Sequence, residues 1–345
     1  MNRFNSIAVS LMQTPYKIGL LGSTSHTLTS VQSLLKDTKF KIDWVLTPSV
    51  KPQGRNQKLM PNPVQKWAQR HQIPQVLIDT TIDAQVESDI QTLVNQTGRP
   101  DFLLIVDFGY QLPDWLIKLP QIESVNIHPS DLPRWRGSSP GQFALLYGEK
   151  TTTVSVITMT EKFDQGDIVY KLPLPVQPNW TQVEYYQTCF SQISSHLPNL
   201  LNQLAHHQIT PQPQALVSPT ATARRLSKND AFVDWQNITG AQAGGHQLVK
   251  PLNPLLNLVL LTLQKSDQKK SNSSSIFCQL LEQAVRAFSP WPHVWTFIPT
   301  ANGQKRMKIL KTSLNQSGKL ILEIVQIEGQ QPASWNQIKN IIQLA

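Results

Sequence analysis

Five consecutive apolar residues, 102–106 (FLLIV), constrain the fold more than any other segment of this chain. A strand whose side chains are all apolar has to be covered on both faces, as it is in the middle of a parallel sheet. Strand-like segments precede it, and segments with helical spacing alternate with them; the strands are 17–22, 42–46 and 75–78, and the helices are 27–37, 63–72 and 84–95. This alternation predicts a doubly wound, mostly parallel α/β sheet.

The pattern changes in the last third of the chain. Segment 183–204 is predicted to be one helix, and a Pro- and Thr-containing linker follows at 210–222. Short strand-like segments with irregular turns then predict a small β-barrel of the OB type. The predicted organisation is an N-terminal extension (1–15), an α/β domain (16–209), the linker (210–222) and the β-barrel domain (223–345), which carries an insertion at about 241–280.

Composition excludes several classes of protein. The two cysteines, Cys189 and Cys278, are far apart, so neither a disulfide framework nor a Cys-based zinc site is expected. No apolar run reaches the ~18 residues that a membrane span needs. We therefore expect a soluble, cytoplasmic protein. Because residues 1–15 carry Arg3 and no acidic residue, an organellar matrix is the alternative compartment.

Positive charge is concentrated at the C-terminal end. From residue 221 onward there are fourteen Lys and Arg residues and six Asp and Glu residues, a surplus of eight within a total net charge of +9. A basic domain joined to a near-neutral one is typical of proteins that bind a polyanion. A solvated basic surface that serves solubility is an equally good interpretation of the charge alone.

Three polar residues form a candidate catalytic set. Asn126 and His128 are two residues apart in a predicted strand, so both side chains project to the same side. An amide and an imidazole together can stabilise a developing oxyanion. Asp164, in a Gly-containing turn, can orient the imidazole and accept a proton. Taken singly, each residue also has an ordinary structural interpretation as a hydrogen-bonded His, a cap or a turn residue. The turn at 22–25 lacks G-x-G-x-x-G spacing, which disfavours a dinucleotide site.

The spacing of these residues is similar to a known signature. The run N-x-H-x-S-x-L-P-x-x-R-G-x-x-P at 126–140, followed by D-x-G-D at 164–167, resembles the formyltetrahydrofolate-dependent formyltransferases. The resemblance implies that Asn126, His128 and Asp164 are catalytic. It also implies that a second set of residues contacts the folate: Ser130, Asp131, Leu132 and Pro133.

Further segments resemble the methionyl-tRNA formyltransferases within that family. Segment 51–64 is similar to their inserted loop, and segments 226–235 and 286–292 are similar to their tRNA-binding domain. The resemblance implies that Arg55 and Lys58 contact tRNA. It departs from the family at Asp131, where Leu is usual, and at the insertion, whose apolar part (252–263) is expected to be a helix or a pair of strands.

The implied activity is formyl transfer from 10-formyltetrahydrofolate, as co-substrate, to the α-amino group of methionyl initiator tRNA during translation initiation. The resemblance implies no metal, no membrane partner and a monomeric enzyme. Two alternatives stay open: a formyltransferase that acts on an amino sugar or another small amine, and a non-catalytic RNA-binding homologue.

Overall fold

The computed structural model describes residues 14–53, 58–244, 248–266 and 273–342. Its strands are β1 (Tyr16–Gly22), β2 (Phe40–Pro48), β3 (Lys51–Gln53), β4 (Lys58–Met60), β5 (Gln75–Ile78), β6 (Phe102–Val106), β7 (Glu123–His128), β8 (Thr151–Thr158), β9 (Ile168–Pro175), β10 (Val294–Thr300), β11 (Gly303–Leu314), β12 (Leu320–Ile327) and β13 (Ala333–Ser334). Its α-helices are α1 (Ser25–Val31), α2 (Pro63–Arg70), α3 (Ala84–Thr97), α4 (Asp114–Ile117), α5 (Pro140–Leu146), α6 (Gln182–Ser194), α7 (Leu197–Ala205), α8 (Trp235–Ala243), α9 (Pro254–Ser266), α10 (Ser273–Ala287) and α11 (Trp335–Ile338). None of these helices is both long and apolar enough to cross a membrane. The predicted N-terminal extension lies outside the described residues, apart from its last two.

Seven strands form one sheet in the order β5-β2-β1-β6-β7-β8-β9, and the strand pairs from β5 to β7 are parallel. The chain first extends the sheet from β1 to one side, through β2 and β5, and then to the other side, through β6 and β7. The predicted doubly wound α/β class is confirmed. The reversal between β1 and β6 is a switch point, where such a sheet opens a crevice beyond the carboxyl ends of its strands.

Strand β6 occupies the middle of this sheet, as its composition predicted. All five of its residues are buried, because β1 and β7 flank it and other elements cover both of its faces. On one face, Leu103 and Ile105 pack with Trp44 of β2 and Ile90 of α3. The apolar run is therefore buried on both faces, and its carboxyl end is held rigidly in place.

The C-terminal part contains an antiparallel sheet in the order β10-β11-β12-β13. Helix α10 packs on β11, and α8 packs on β12. Most of the apolar segment 252–263 lies in helix α9, which packs against α10 and buries Leu256 and Val259. This part of the chain therefore combines a four-stranded sheet with helices that include the predicted insertion.

The predicted single helix at 183–204 is two helices, α6 and α7, separated by Ser195 and His196. Pro198 lies in the first turn of α7. Because proline has no N–H, it could not donate to the carbonyl of Ser194 in a continuous helix, and its ring would clash there. A helix start tolerates proline, so the chain begins a new helix at this point.

The chain forms two compact units. The first holds the described residues up to His128 together with Val156–Tyr170 and Phe190–Pro213. The second holds Pro129–Ser155, Lys171–Cys189 and the described residues from Gln214 onward. The predicted domain limits follow continuous sequence rather than compactness, and they stay a prediction.

Candidate active site

Strand β7 carries the first two candidate catalytic residues to the carboxyl edge of the first unit's sheet. Asn126 is partly buried and His128 is buried, and they are two residues apart on an extended backbone. Their side chains therefore leave the same face of the strand. The neighbouring residues Val125 and Ile127 are buried in the core, which fixes the rotation of the strand.

The third candidate, Asp164, lies in the turn between β8 and β9. Its backbone is left-handed, with φ of 54°, a conformation that aspartate tolerates better than most residues. The base of the turn is closed by two hydrogen bonds between Thr158 and Asp167, both 2.9 Å long. Gly166 passes so close to Thr158 that an added Cβ would lie 1.7 Å from the carbonyl oxygen of that residue. The turn sequence thus positions the carboxylate.

The structure brings the three groups together. Oδ1 of Asp164 lies 3.5 Å from Nδ1 of His128, and only 12% and 7% of the two side chains are exposed. Asn126 and Asp164 line one cleft. A carboxylate beside Nδ1 orients the imidazole ring and favours the tautomer that carries its hydrogen on Nδ1. Because little water reaches the pair, its field on a bound ligand is stronger than it would be at the surface.

The cleft at Asn126 and Asp164 has a mixed lining. Its apolar side consists of Ile105, Phe108, Leu112, Met159 and Phe163, and its polar side includes Tyr110, Gln111, Thr160 and Glu161. The Phe163 ring is 61% exposed, which is unusual for a large apolar side chain and leaves it available to a ligand. Aromatic rings with a few polar groups are typical of sites for flat, partly polar molecules. No pattern in the sequence predicted this lining.

The residues expected to contact the folate lie in the second unit. Several of their polar groups form hydrogen bonds or ion pairs with other residues of that unit. The Ser130 hydroxyl donates to the carbonyl of Arg134 at 2.8 Å, and Leu132 is fully buried. Asp131 pairs with Lys171, whose Nζ lies 2.6 Å from Oδ1 and also donates to the carbonyl of Leu132. The acid at position 131 is therefore held by an ion pair. The folate contacts of residues 130–133 stay a prediction.

One of the two residues expected to contact tRNA, Lys58, begins strand β4. Strands β3 and β4 pair antiparallel, with Gln53 opposite Lys58. Arg55 lies outside the described residues, and Lys58 is described only as backbone. The segment predicted as a loop therefore contains two short paired strands, and its tRNA contacts stay a prediction.

Both thiols are poor nucleophiles. Cys189 and Cys278 are buried and unpaired with each other, and burial raises the pKa of each thiol above its ordinary value. Within the described ranges, no group of three or more His, Cys, Asp and Glu side chains is arranged to hold a metal ion.

Replacing Gly166 by alanine is expected to displace the Asp164 turn, because the new Cβ would overlap the Thr158 carbonyl. We expect a loss of ~2 kcal/mol in the free energy of unfolding, in the range of overpacking substitutions. Urea denaturation of the variant and of the wild-type protein measures this loss of stability. Gly240→Ala is the matched control, because an added Cβ there meets no atom within 4 Å. Equal stabilities of the two variants would contradict the close approach.

Comparisons with known proteins agree with this architecture. The sequence pattern of the family described as "Formyl transferase" matches residues 17–201, more than half of the chain. Among solved structures, methionyl-tRNA formyltransferase from Clostridium thermocellum is 16% identical, with a TM-score of 0.50 over 90% of this chain and 98% of that one. The sugar 3N-formyl transferase WlaRD, solved in the presence of dTDP and 5-N-formyl-THF, is 16% identical, with a TM-score of 0.54 over 92% and 100%.

A third structure with the same fold is HypX from Aquifex aeolicus in complex with tetrahydrofolic acid. It is 11% identical, with a TM-score of 0.53 over 95% of this chain and 48% of that one. At such identities the three structures establish a shared fold and nothing finer. The family pattern, in contrast, spans the sheet and all three candidate catalytic residues. The chain belongs to the formyl transferase family.

Proposed function

We propose that this protein transfers the formyl group of 10-formyltetrahydrofolate to the α-amino group of methionyl initiator tRNA. One observation carries the chemistry: Asn126 and Asp164 line one cleft, and His128 lies 3.5 Å from Asp164. That set supplies a neutral donor, a donor that can carry charge, and a base. Formyl transfer from a folate-type donor is the activity typical of the family to which the chain belongs.

In the proposed reaction, the neutral amine attacks the formyl carbon, and a carbon–nitrogen bond forms as the carbonyl oxygen becomes an oxyanion. Asn126 and His128 stabilise this oxyanion, each contributing ~3 kcal/mol to the lowering of the barrier. The bond from the formyl carbon to N10 of the folate then breaks. Asp164 holds the imidazole and relays a proton from the amine to N10, so tetrahydrofolate leaves as a neutral amine.

The cleft fits the flat ring of the folate. Phe108 and Phe163 contribute aromatic rings to its lining, while Gln111 and Thr160 contribute hydrogen-bonding groups. A bicyclic ring with polar edges needs both kinds of contact. Bound there, the co-substrate would have its formyl group beside Asn126.

An RNA acceptor is supported by the outer face of the C-terminal sheet. Phe297 lies opposite Arg306 and Trp295 lies opposite Lys308 on β10 and β11, so the four side chains share one face. Phe297 is 45% exposed, and its ring lies 5.4 Å from that of Trp295. Aromatic rings interleaved with cations are the typical platform for unpaired nucleotides. Amino-sugar acceptors would have no need of such a face.

The decisive experiment offers the purified protein 10-formyltetrahydrofolate with methionyl initiator tRNA, an amino-sugar nucleotide or a free amino acid as acceptor. Formylation of the methionyl-tRNA at far higher kcat/KM than the small amines supports the proposal. A preference for the amino-sugar nucleotide would overturn the proposed acceptor and leave the proposed formyl-transfer mechanism in place. Absence of formyl transfer to any amine would overturn the enzymatic assignment.

Salt should weaken the binding of tRNA steeply, because each phosphate contact releases counterions. Lys308→Ala and Arg55→Ala are each expected to reduce the slope of log Kd against log salt by roughly 0.7–0.9, the value for one lost phosphate contact. Filter binding at several salt concentrations measures this slope. Lys39→Ala, which removes an exposed charge from the first unit, is the control. An unchanged slope for Arg55→Ala would contradict the proposed tRNA contact of Arg55, and an unchanged slope for Lys308→Ala would contradict that of the β10–β11 face.

A further inference from the structure

A second histidine–carboxylate pair lies at the switch point between β1 and β6. Asp107 is the first residue after β6, and its Oδ2 accepts a hydrogen bond of 2.6 Å from the Thr24 hydroxyl. Nδ1 of His26 lies 3.1 Å from the same oxygen. The His26 ring stacks on Phe190, with centroids 5.1 Å apart and planes inclined by 17°. The β1–α1 turn thus holds one carboxylate oxygen in place, and Phe190 supports the His26 ring that contacts it.

The backbone around this pair is equally constrained. Asp107 is left-handed, with φ of 49°. The Thr27 hydroxyl donates to the carbonyl of Val106 at 2.9 Å, which ties the β1–α1 turn to the end of β6. Gly22 lets the turn approach, because an added Cβ would lie 2.3 Å from the Thr27 side chain. The surrounding residues therefore maintain the left-handed backbone of Asp107, a conformation that residues other than glycine rarely adopt. Such conformations are common in ligand sites.

Strand register places Asp107 beside the candidate active site. Val106 pairs with Ile127, so the next residues, Asp107 and His128, leave the sheet at the same level. Neighbouring strands are about 4.8 Å apart. In the strand order β1-β6-β7-β8, Asp107 follows β6 and so lies on the β1 side of His128. The cleft proposed for the folate is also lined by the turn after β8, on the other side of β7. An acceptor amine that meets the formyl group at Asn126 and His128 can approach from the side of β1.

The chemistry of this carboxylate suits a cation. Its side chain is 40% exposed. Burial acts to raise the pKa of Asp107, but the hydrogen bonds from His26 and Thr24 prevail and lower it, so the group is ionised at neutral pH. No residue within the described part of the chain donates a hydrogen bond to Oδ1. An α-amino group has an ordinary pKa of about 7.7–8.0 and is mostly an ammonium ion at pH 7.

We propose that Asp107 binds the ammonium form of the acceptor amine on the β1 side of the active site and thereby selects acceptors that carry a free amino group. This inference rests on the proposed formyl transfer to an amine. Thr24 and His26 act as positioning residues, because they aim the carboxylate through Oδ2. After docking, the ammonium releases one proton to solvent water, and the neutral amine then attacks the formyl carbon.

The test is Asp107→Asn in the full-length protein, which keeps the size of the side chain and removes its charge. We expect KM for methionyl-tRNA to rise ~10-fold, the worth of one charge-assisted hydrogen bond, while the Kd for tetrahydrofolate stays unchanged. Asp114→Asn is the matched control, since Asp114 is an exposed carboxylate of the same unit that pairs with Lys118. His26→Phe keeps the stacked ring, removes the hydrogen bond and should raise KM by a smaller factor.

A specificity readout separates docking from a structural role. The α-hydroxy analogue of methionyl-tRNA serves as a competitive inhibitor. It should bind the wild-type protein more weakly than methionyl-tRNA does. The Asp107→Asn variant should bind the hydroxy analogue and methionyl-tRNA with equal affinity. A variant that keeps the KM and the amine preference of wild type overturns the inference. If the wild-type protein uses an amino sugar rather than methionyl-tRNA, the same comparison is made with that amino sugar and its hydroxy analogue. The role of Asp107 is then tested independently of the tRNA assignment.

Discussion

Asn126→Ala and His128→Ala are each expected to lower kcat for formyl transfer by roughly 10²–10³-fold, the loss that follows removal of one oxyanion donor. The reason is that both side chains leave the same face of β7, where Asn126 and Asp164 line one cleft and His128 lies 3.5 Å from Asp164. KM for both substrates should change much less than kcat, because the donors act on charge that exists only in the transition state. Single-turnover formylation, followed with saturating co-substrate, measures the chemical step.

The double variant should lose less than the product of the two single losses, because both donors stabilise the same oxygen. Asn95→Ala and His71→Ala are the controls, since both residues are exposed at the ends of α3 and α2. If either active-site variant transfers formyl groups as fast as these controls, its residue is not an oxyanion donor. Retained binding of tetrahydrofolate by all four variants would show that they are folded.

Residues 102–106 and the segments before them predicted the sheet because every apolar run there had one consistent structural solution. A five-residue apolar run is shorter than a typical helix and fits an inner strand, and its neighbours follow from right-handed crossovers. The error at 183–204 has a local cause: apolar periodicity continues across Pro198, although the missing N–H of that residue ends the helix. Periodicity reports which face is buried and does not report where a hydrogen-bond ladder is interrupted.

The candidate site was predictable only in part. Some of its residues are close together in the sequence, whereas others are brought together only by tertiary structure. Asn126 and His128 share a strand, so their common direction follows from a period of two. The approach of Asp164 to His128 depends on a turn whose left-handed backbone and close glycine contact are tertiary features. The pairing of His26 with Asp107 joins residues 81 positions apart, and no spacing rule in a single sequence brings them together.

Asp164→Asn is expected to lower kcat by roughly 10²–10⁴-fold, the usual contribution of a general acid–base group. Asparagine has the same shape and also tolerates the left-handed backbone at this position, so the turn should keep its conformation. It lacks the negative charge that lies 3.5 Å from Nδ1 of His128. The variant therefore loses both the proton relay and the charged acceptor beside the imidazole.

The pH dependence of kcat distinguishes this role from simple positioning of the folate. Loss of a relay should leave the Kd for tetrahydrofolate unchanged and alter the shape of the pH profile, whereas loss of a binding contact should raise that Kd at every pH. Asp89→Asn, which changes an exposed carboxylate on α3, controls for net charge. A profile and a kcat equal to those of the control would remove Asp164 from the mechanism, and the His128 ring would then have to act without its carboxylate.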